Sequence, residues 1–250
     1  MNKERFFSED TAKTIVDCIS DAVGDDIFED IQRNKLATTN SIPSRIWDLI
    51  NTNLCNKLCD MNCEVVKTNS GPWQMCLIWD KSSDVVITLM REERFSEIRR
   101  KQSSRGKMHY LDALTEFYNN ELNPEYAQTT FYGHEFTDKD RLSERVNTLL
   151  RNIQSDISEI KNHVLVLFES IDNRLVSVRA IKATPALEIA KDGEWSLSEY
   201  IDYNESAIVE KVDNENQNDL HNMGLKLKEK AIAKQKKLPL RTEEQKQEIL

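Results

Sequence analysis

The sequence has few of the residues that interrupt regular structure and no long apolar run. Its 250 residues include only 6 Gly and 5 Pro, too few for a turn-dense β-sandwich or a low-complexity chain. No uninterrupted apolar stretch approaches the roughly 20 residues that a membrane-spanning helix requires. The first ten residues contain no apolar signal region. These absences predict a globular protein of the cytoplasm with no membrane partner.

Cysteine is also scarce and odd in number, with five residues in the chain. This pattern is typical of reduced thiols in a cytoplasm. Cys55, Cys59 and Cys63 repeat every four residues, but a structural zinc site needs four ligands and no further His or Cys follows at a suitable distance. We therefore expect buried apolar thiols, with no metal and no cofactor.

Three apolar patterns at helical spacing predict long helices. The first runs from Ile15 to Ile31 and continues through Gly24. The second opens at Ser41-Ile42-Pro43, since Pro is tolerated in a first helical turn. The third runs from Leu142 to Ile160 and is preceded by Thr137, a residue that can cap it.

Short apolar runs predict the strands. Cys63–Thr68, Trp73–Trp79 and Val85–Met90 are separated by short turns, which favour a three-strand antiparallel meander. His163–Phe168 and Leu175–Ile181 predict a later hairpin. The fold class is therefore α+β: antiparallel sheet segments packed with amphipathic helices, plus a basic C-terminal tail. We expect a compact body over residues 1–203, a polar acidic linker over 204–224 and a lysine-rich, helix-compatible tail over 225–250.

Charge is separated along the chain. The formal net charge is −9, yet residues 91–107 carry seven basic against three acidic side chains and residues 225–241 carry seven against one. Basic segments of this kind have three interpretations. They dock on the acidic body or on a second copy of it, they bind an external polyanion, or they stay solvated without a partner. The external partner would be nucleic acid or an anionic protein surface. All three interpretations are open at the level of the sequence.

The first basic segment is the more specific candidate site. Its serines and arginines precede a helix predicted to start near Met108, and the N–H groups of a helix start suit a phosphate oxygen. The segment lacks the G-x-x-x-x-G-K-[ST] pattern of a nucleotide-binding loop. The candidate polyanion-binding residues are Arg94, Arg99, Arg100, Lys101, Ser103, Ser104, Arg105 and Lys107, and in the tail Lys226, Lys228, Lys230, Lys234, Lys236 and Lys237.

No catalytic residue can be assigned from the sequence. The order helix, three strands, helix, short strand over residues 44–131 matches the core of PD-(D/E)xK nucleases, which gather carboxylates from adjacent strands around a metal ion. Here Asp80, Asp84 and Glu92 lie only at strand ends, and no E-x-K follows. We interpret the chain as a non-enzymatic interaction or regulatory protein. The alternatives are a degenerate or atypical metal-dependent nuclease, and a protein-binding inhibitor without nucleic-acid contact.

Two stretches of the chain carry a resemblance. Residues 89–100 with 109–114, and the hairpin strands 163–168 and 176–180, resemble an uncharacterised family of about 250-residue proteins from low-GC Gram-positive bacteria and their phages. The resemblance covers about residues 10–210 and excludes the lysine-rich tail. It implies no activity or site, and it suggests a role in phage defence or counter-defence.

Overall fold

Helices and strands alternate in groups of three along the chain. A computed structural model describes residues 5–35, 38–122 and 139–203. Within these residues the helices are α1 (Glu9–Val23), α2 (Asp25–Asn34), α3 (Ile42–Lys57), α4 (Glu92–Arg100), α5 (Tyr110–Tyr118) and α6 (Lys139–Leu150). The strands are β1 (Cys63–Ser70), β2 (Trp73–Asp80), β3 (Val85–Arg91), β4 (Asn162–Ile171), β5 (Arg174–Ala183) and β6 (Ile189–Ser196).

The strands form a single mixed sheet in the order β1-β2-β3-β4-β5-β6. Each trio is an antiparallel meander, and the two meanders join through a parallel pair in which Thr88 of β3 lies opposite Leu165 of β4. A parallel pair needs a long crossover connection. Helices α4, α5 and α6 lie within this crossover.

Both faces of the sheet are covered. Because side chains alternate along a strand, Val164, Val166 and Phe168 of β4 join one core with the first three helices. Leu165 and Leu167 join a second core with α4, α5 and α6. The sheet is thus sandwiched between two helical layers. The α+β class is confirmed, with the predicted meander and the predicted β4–β5 hairpin both present.

The first helix differs from its prediction, because Gly24 divides it into α1 and α2. Gly24 has φ −101° and ψ −102°, outside the helical region. A Cβ at this position would lie 3.1 Å from the Ser20 carbonyl oxygen, so a side chain fits poorly. The apolar stripe nevertheless continues, since Ile27 of α2 is buried in the same core. A stripe shows which face is buried, but not whether the helix is continuous.

The predicted helix over residues 142–160 ends early, at Leu150. Beyond it, Asn152 Nδ2 donates to the Lys67 carbonyl at 2.6 Å and Ser155 Oγ donates to Glu64 at 2.8 Å. Both bonds fasten this segment along β1, the edge strand of the sheet, which an unbroken helix could not reach. Ile160 is still buried. The apolar spacing beyond Leu150 therefore marks buried positions that lie outside α6.

The cysteines are not all buried, as the sequence predicted, but differ in their exposure. Cys18 and Cys76 are buried and Cys55 and Cys63 are half-buried, but Cys59 is exposed. Cys55 Sγ and Cys76 Sγ lie 3.7 Å apart. None of the helices in the described ranges is long and apolar enough to cross a membrane. The predicted linker and tail, with all six tail lysines, lie outside the described residues.

Candidate anion-binding site

The predicted basic segment forms α4 and the loop that leads to α5. Phe95 and Ile98 bury one side of α4 in the second core. Side chains on the other side therefore face solvent. We call the exposed cationic residues of this region the basic face: Arg94, Arg99, Arg100, Lys101 and Lys107.

Two members of the basic face share a single carboxylate. Lys101 Nζ donates to Glu97 at 2.7 Å, and Arg94 donates to the other oxygen of the same side chain. These hydrogen bonds, together with the two positive charges, lower the pKa of Glu97 to about 2. The side chains of Arg94 and Lys101 remain 57% and 54% exposed. Ion pairs as exposed as these are weak, typically about 0–1 kcal/mol, so an external anion can compete for both cations.

The other members of the basic face are less engaged. Arg99 lies 3.7 Å from Glu188, at the outer range of an ion pair, and both side chains are exposed. Arg100 and Lys107 have no carboxylate partner among residues 5–35, 38–122 and 139–203. The predicted serines lie next to them: Ser103 and Ser104 are exposed, and Ser104 Oγ donates to the Lys101 carbonyl at 3.1 Å.

Arg105 differs from the other predicted cations because it is a structural residue. Its Nη2 donates to both oxygens of Asp112, at 2.7 and 2.9 Å. Its side chain is only 20% exposed and that of Asp112 is 5% exposed. The same carboxylate accepts from Gln102 Nε2 at 3.1 Å and from the His109 backbone N–H at 2.9 Å. Arg105 therefore anchors the loop to the start of α5.

His109 caps α5 and adjoins these arginines. Its Nδ1 accepts from the Leu111 N–H at 3.2 Å, while Asp112 completes a capping box. Its ring lies 4.3 Å from that of Tyr110, centroid to centroid. Burial lowers the pKa of His109 to about 4, helped by the positive charges of Arg105, Arg94 and Arg145. The ring is thus neutral at pH 7 and lies within the field of three guanidinium groups.

Arg145 is the residue of this region that the sequence did not single out. It lies on α6, 40 residues beyond Arg105, and α6 packs against α5 in the second core. Nothing in the sequence connects it with the basic segment, since it falls in an ordinary amphipathic pattern.

The carboxylates of the nuclease interpretation are not gathered in the described part of the chain. Asp80 is buried and accepts from the Ser82 N–H at 2.9 Å and, more loosely, from the Ser8 N–H at 3.4 Å. Asp84 pairs with Lys161, and Glu92 is held by Arg179. Within residues 5–35, 38–122 and 139–203, no three His, Cys, Asp or Glu side chains lie close enough together to hold a metal ion.

Comparison with known proteins gives one positive result. Neither the curated proteins nor the solved structures contain a match to this chain. A family model matches residues 5–244, almost the whole chain. The chain therefore belongs to the family of unknown function DUF5986.

Proposed function

We propose that this protein is a non-enzymatic interaction or regulatory protein that binds nucleic acid through the basic face. The observation that carries the proposal is the presence of five exposed cationic side chains on α4 and its loop in a chain of net charge −9. Two of them have no carboxylate partner in the described residues, and the other three keep about half of their side-chain surface exposed within their ion pairs.

The weakness of these internal ion pairs favours an external partner over docking of the basic face on the protein's own carboxylates. Exposed pairs such as Arg94 with Glu97 are screened by salt and stabilise little. A nucleic acid instead presents closely spaced phosphates, and each one that is neutralised by Lys or Arg releases counterions. The basic face therefore suits a polyanion better than it suits a single carboxylate. An anionic protein surface, including that of a second copy of the chain, is the competing partner.

The lysine-rich tail is part of the same proposal. Its six lysines would extend the contact along a phosphate backbone, without the need for a fixed structure. Membership of an uncharacterised family is compatible with the low-GC Gram-positive and phage setting inferred from the sequence. In that setting we propose a cytoplasmic role in phage defence or counter-defence.

The proposal is tested by binding of mixed-sequence DNA and RNA, single- and double-stranded, at low salt. Fluorescence anisotropy is measured for the full chain and for the double charge reversal Arg99→Glu/Arg100→Glu. Loss of about two phosphate contacts is expected to weaken binding at least tenfold. The matched control is Arg33→Glu/Lys35→Glu, which makes the same charge change at the C-terminal end of α2, on the opposite face of the sheet. This control is expected to weaken binding only slightly.

The outcomes separate the alternatives. Equal loss in both double variants would mean that only the net charge matters, and the basic face would not be the site. No detectable binding of any nucleic acid, with capture of a protein that depends on Arg99 and Arg100, would support the inhibitor alternative instead. Metal-dependent cleavage that is abolished by Asp80→Ala or Glu92→Ala would support the nuclease alternative.

A further inference from the structure

Two cysteines from different elements bring their sulfur atoms into contact. Cys55 lies on α3 and Cys76 on β2, and their Sγ atoms are 3.7 Å apart. Asn51, one turn before Cys55 on α3, holds the two elements in this register, because its Oδ1 accepts from the Cys76 N–H at 3.3 Å. A disulfide joins its sulfurs at about 2.0 Å. A small movement of both side chains is therefore enough to bond the pair.

The two thiols differ in their access to solvent. Cys55 is half-buried and lines an open cavity of about 610 Å³ beside β1. Cys76 is only 4% exposed. Burial raises the pKa of Cys76 to about 12, and the adjoining Cys55 thiol adds to the rise. Because the thiolate is the reactive form of cysteine, a reagent that enters the cavity reacts with Cys55 first.

The cavity also places a positive charge beside the pair. Lys67 of β1 is one of its lining residues and lies directly opposite Cys76 in the β1–β2 register, where Cβ atoms are typically about 5 Å apart. Burial raises the pKa of Cys76, and the charge of Lys67 partly opposes that rise. Lys81 lines the same cavity, but its Nζ is paired with Glu64 at 3.2 Å. Lys67 is thus the cation placed to favour a thiolate at Cys76.

We infer that Cys55 and Cys76 are a reversible modification site, at which the two thiols form a disulfide by exchange with a small-molecule disulfide, RSSR. First, the Cys55 thiolate attacks one sulfur of RSSR, a mixed disulfide forms on Cys55, and one RS⁻ leaves. Next, Cys76 loses its proton to solvent and its thiolate attacks Cys55 Sγ, which releases the second RS⁻. Both cysteines are oxidised and RSSR is reduced to two thiols. Excess thiol reverses both steps.

This site is separate from the basic face. Cys76 is buried in the first core and Cys55 packs against it, whereas α4 packs in the second core on the other side of the sheet. The inference therefore does not rest on the proposed function. It also needs only the two sulfurs that are in contact, whereas a structural zinc site needs four ligands.

The test incubates the full chain with oxidised glutathione and follows each cysteine by peptide mass spectrometry. All variants carry Cys59→Ser, because exposed Cys59 would react by itself. In this background Cys76→Ser is expected to accumulate glutathione on Cys55, since the second thiol is missing. Cys55→Ser should carry at least about tenfold less glutathione on buried Cys76. With both cysteines present, the internal disulfide should form and then disappear in excess reduced glutathione.

Lys67→Met tests the role of the nearby charge. It is expected to slow conversion of the mixed disulfide to the internal disulfide severalfold, because a smaller fraction of Cys76 is then thiolate. Lys67→Arg should restore the rate. The matched control is Lys81→Met, which removes a cation from the same cavity and should leave this step unchanged.

The absence of an internal disulfide at every ratio of oxidised to reduced glutathione would overturn the inference. This measurement needs both cysteines intact, so it stands even if a serine variant fails to fold. Equal glutathione on Cys76 in Cys55→Ser and on Cys55 in Cys76→Ser would overturn the order of the two steps. Equal rates in Lys67→Met and Lys81→Met would overturn the role of Lys67.

Discussion

Replacing Arg105 with Met should destabilise the fold far more than replacing any arginine of the basic face. The substitution keeps an unbranched apolar chain in place of the arginine methylenes but removes the guanidinium group, so that Asp112, which is 5% exposed, loses its cation. Removal of one partner from a buried ion pair typically costs about 3–5 kcal/mol. Because Arg105 is itself 20% exposed, we expect about 3 kcal/mol, at the lower end of that range.

The loss should depend on pH. Burial raises the pKa of Asp112, since lost hydration outweighs the hydrogen bonds from His109 and the charge of Arg105. Without Arg105 the pKa of Asp112 rises further, so the folded variant takes up a proton more readily as the pH falls. The destabilisation by Arg105→Met is therefore largest near pH 7 and shrinks toward pH 4, where the neutral acid needs no cation.

Urea denaturation at several pH values measures this effect, with Arg100→Met as the matched control. Arg100 is exposed and lacks a carboxylate partner in the described residues, so its substitution should change the unfolding free energy by less than about 0.5 kcal/mol. The double variant Arg105→Met/Asp112→Asn should recover part of the loss. Equal, small effects of Arg105→Met and Arg100→Met would refute the structural role of Arg105.

Three further predictions concern the rest of the fold. Asn119→Ala removes hydrogen bonds to His163 N, His163 O and Ala183 O, so it should lower the free energy of unfolding by about 3 kcal/mol or more. Asn120→Ala, at an exposed position, should lower it little. Similar denaturation midpoints of the two variants would contradict this prediction. Burial lowers the pKa of His109 to about 4 and that of His163 to about 3, so the unfolded chain takes up protons first and stability should fall as the pH drops from about 6.5 toward 4. A flat stability profile over that range would contradict the burial of these rings. Diamide should join Cys55 to Cys76, whose thiols lie 3.7 Å apart, while exposed Cys59 stays open to alkylation. Mass spectrometry of Cys76→Ser should show no such intramolecular bond, and its persistence there would assign the bond to another pair.

Local patterns predicted much of the fold. The apolar runs that became β3 and β4 are buried on both faces, so their composition was enough to identify them. β6 was missed because its centre, Lys191-Asp192-Gly193-Glu194, is polar, and an edge strand needs only part of one face buried. The parallel pairing of β3 with β4 is a contact between segments about 80 residues apart, and no local pattern encodes it.

The charge pattern of the sequence indicated the segment that holds the candidate site, but it did not distinguish structural cations from exposed ones. The density of Arg and Lys pointed to the segment that forms α4 and its loop. Only Phe95 and Ile98 of α4 are buried, so its other side chains are at least partly exposed. Sequence could not separate Arg105 from Arg100, because the difference lies in the partner, Asp112, and its burial. Arg145 joins the region only through packing of α6 in the second core.

The salt dependence of nucleic-acid binding reports how many phosphates the basic face contacts. For the wild type, the logarithm of the association constant should fall linearly with the logarithm of salt concentration, with a slope of about −0.9 for each phosphate contacted in duplex DNA. Arg99→Glu/Arg100→Glu should make that slope shallower by about two units, and Arg33→Glu/Lys35→Glu should leave it unchanged. An identical slope in the wild type and in Arg99→Glu/Arg100→Glu would mean that Arg99 and Arg100 contact no phosphate, and the basic face would not be the binding site.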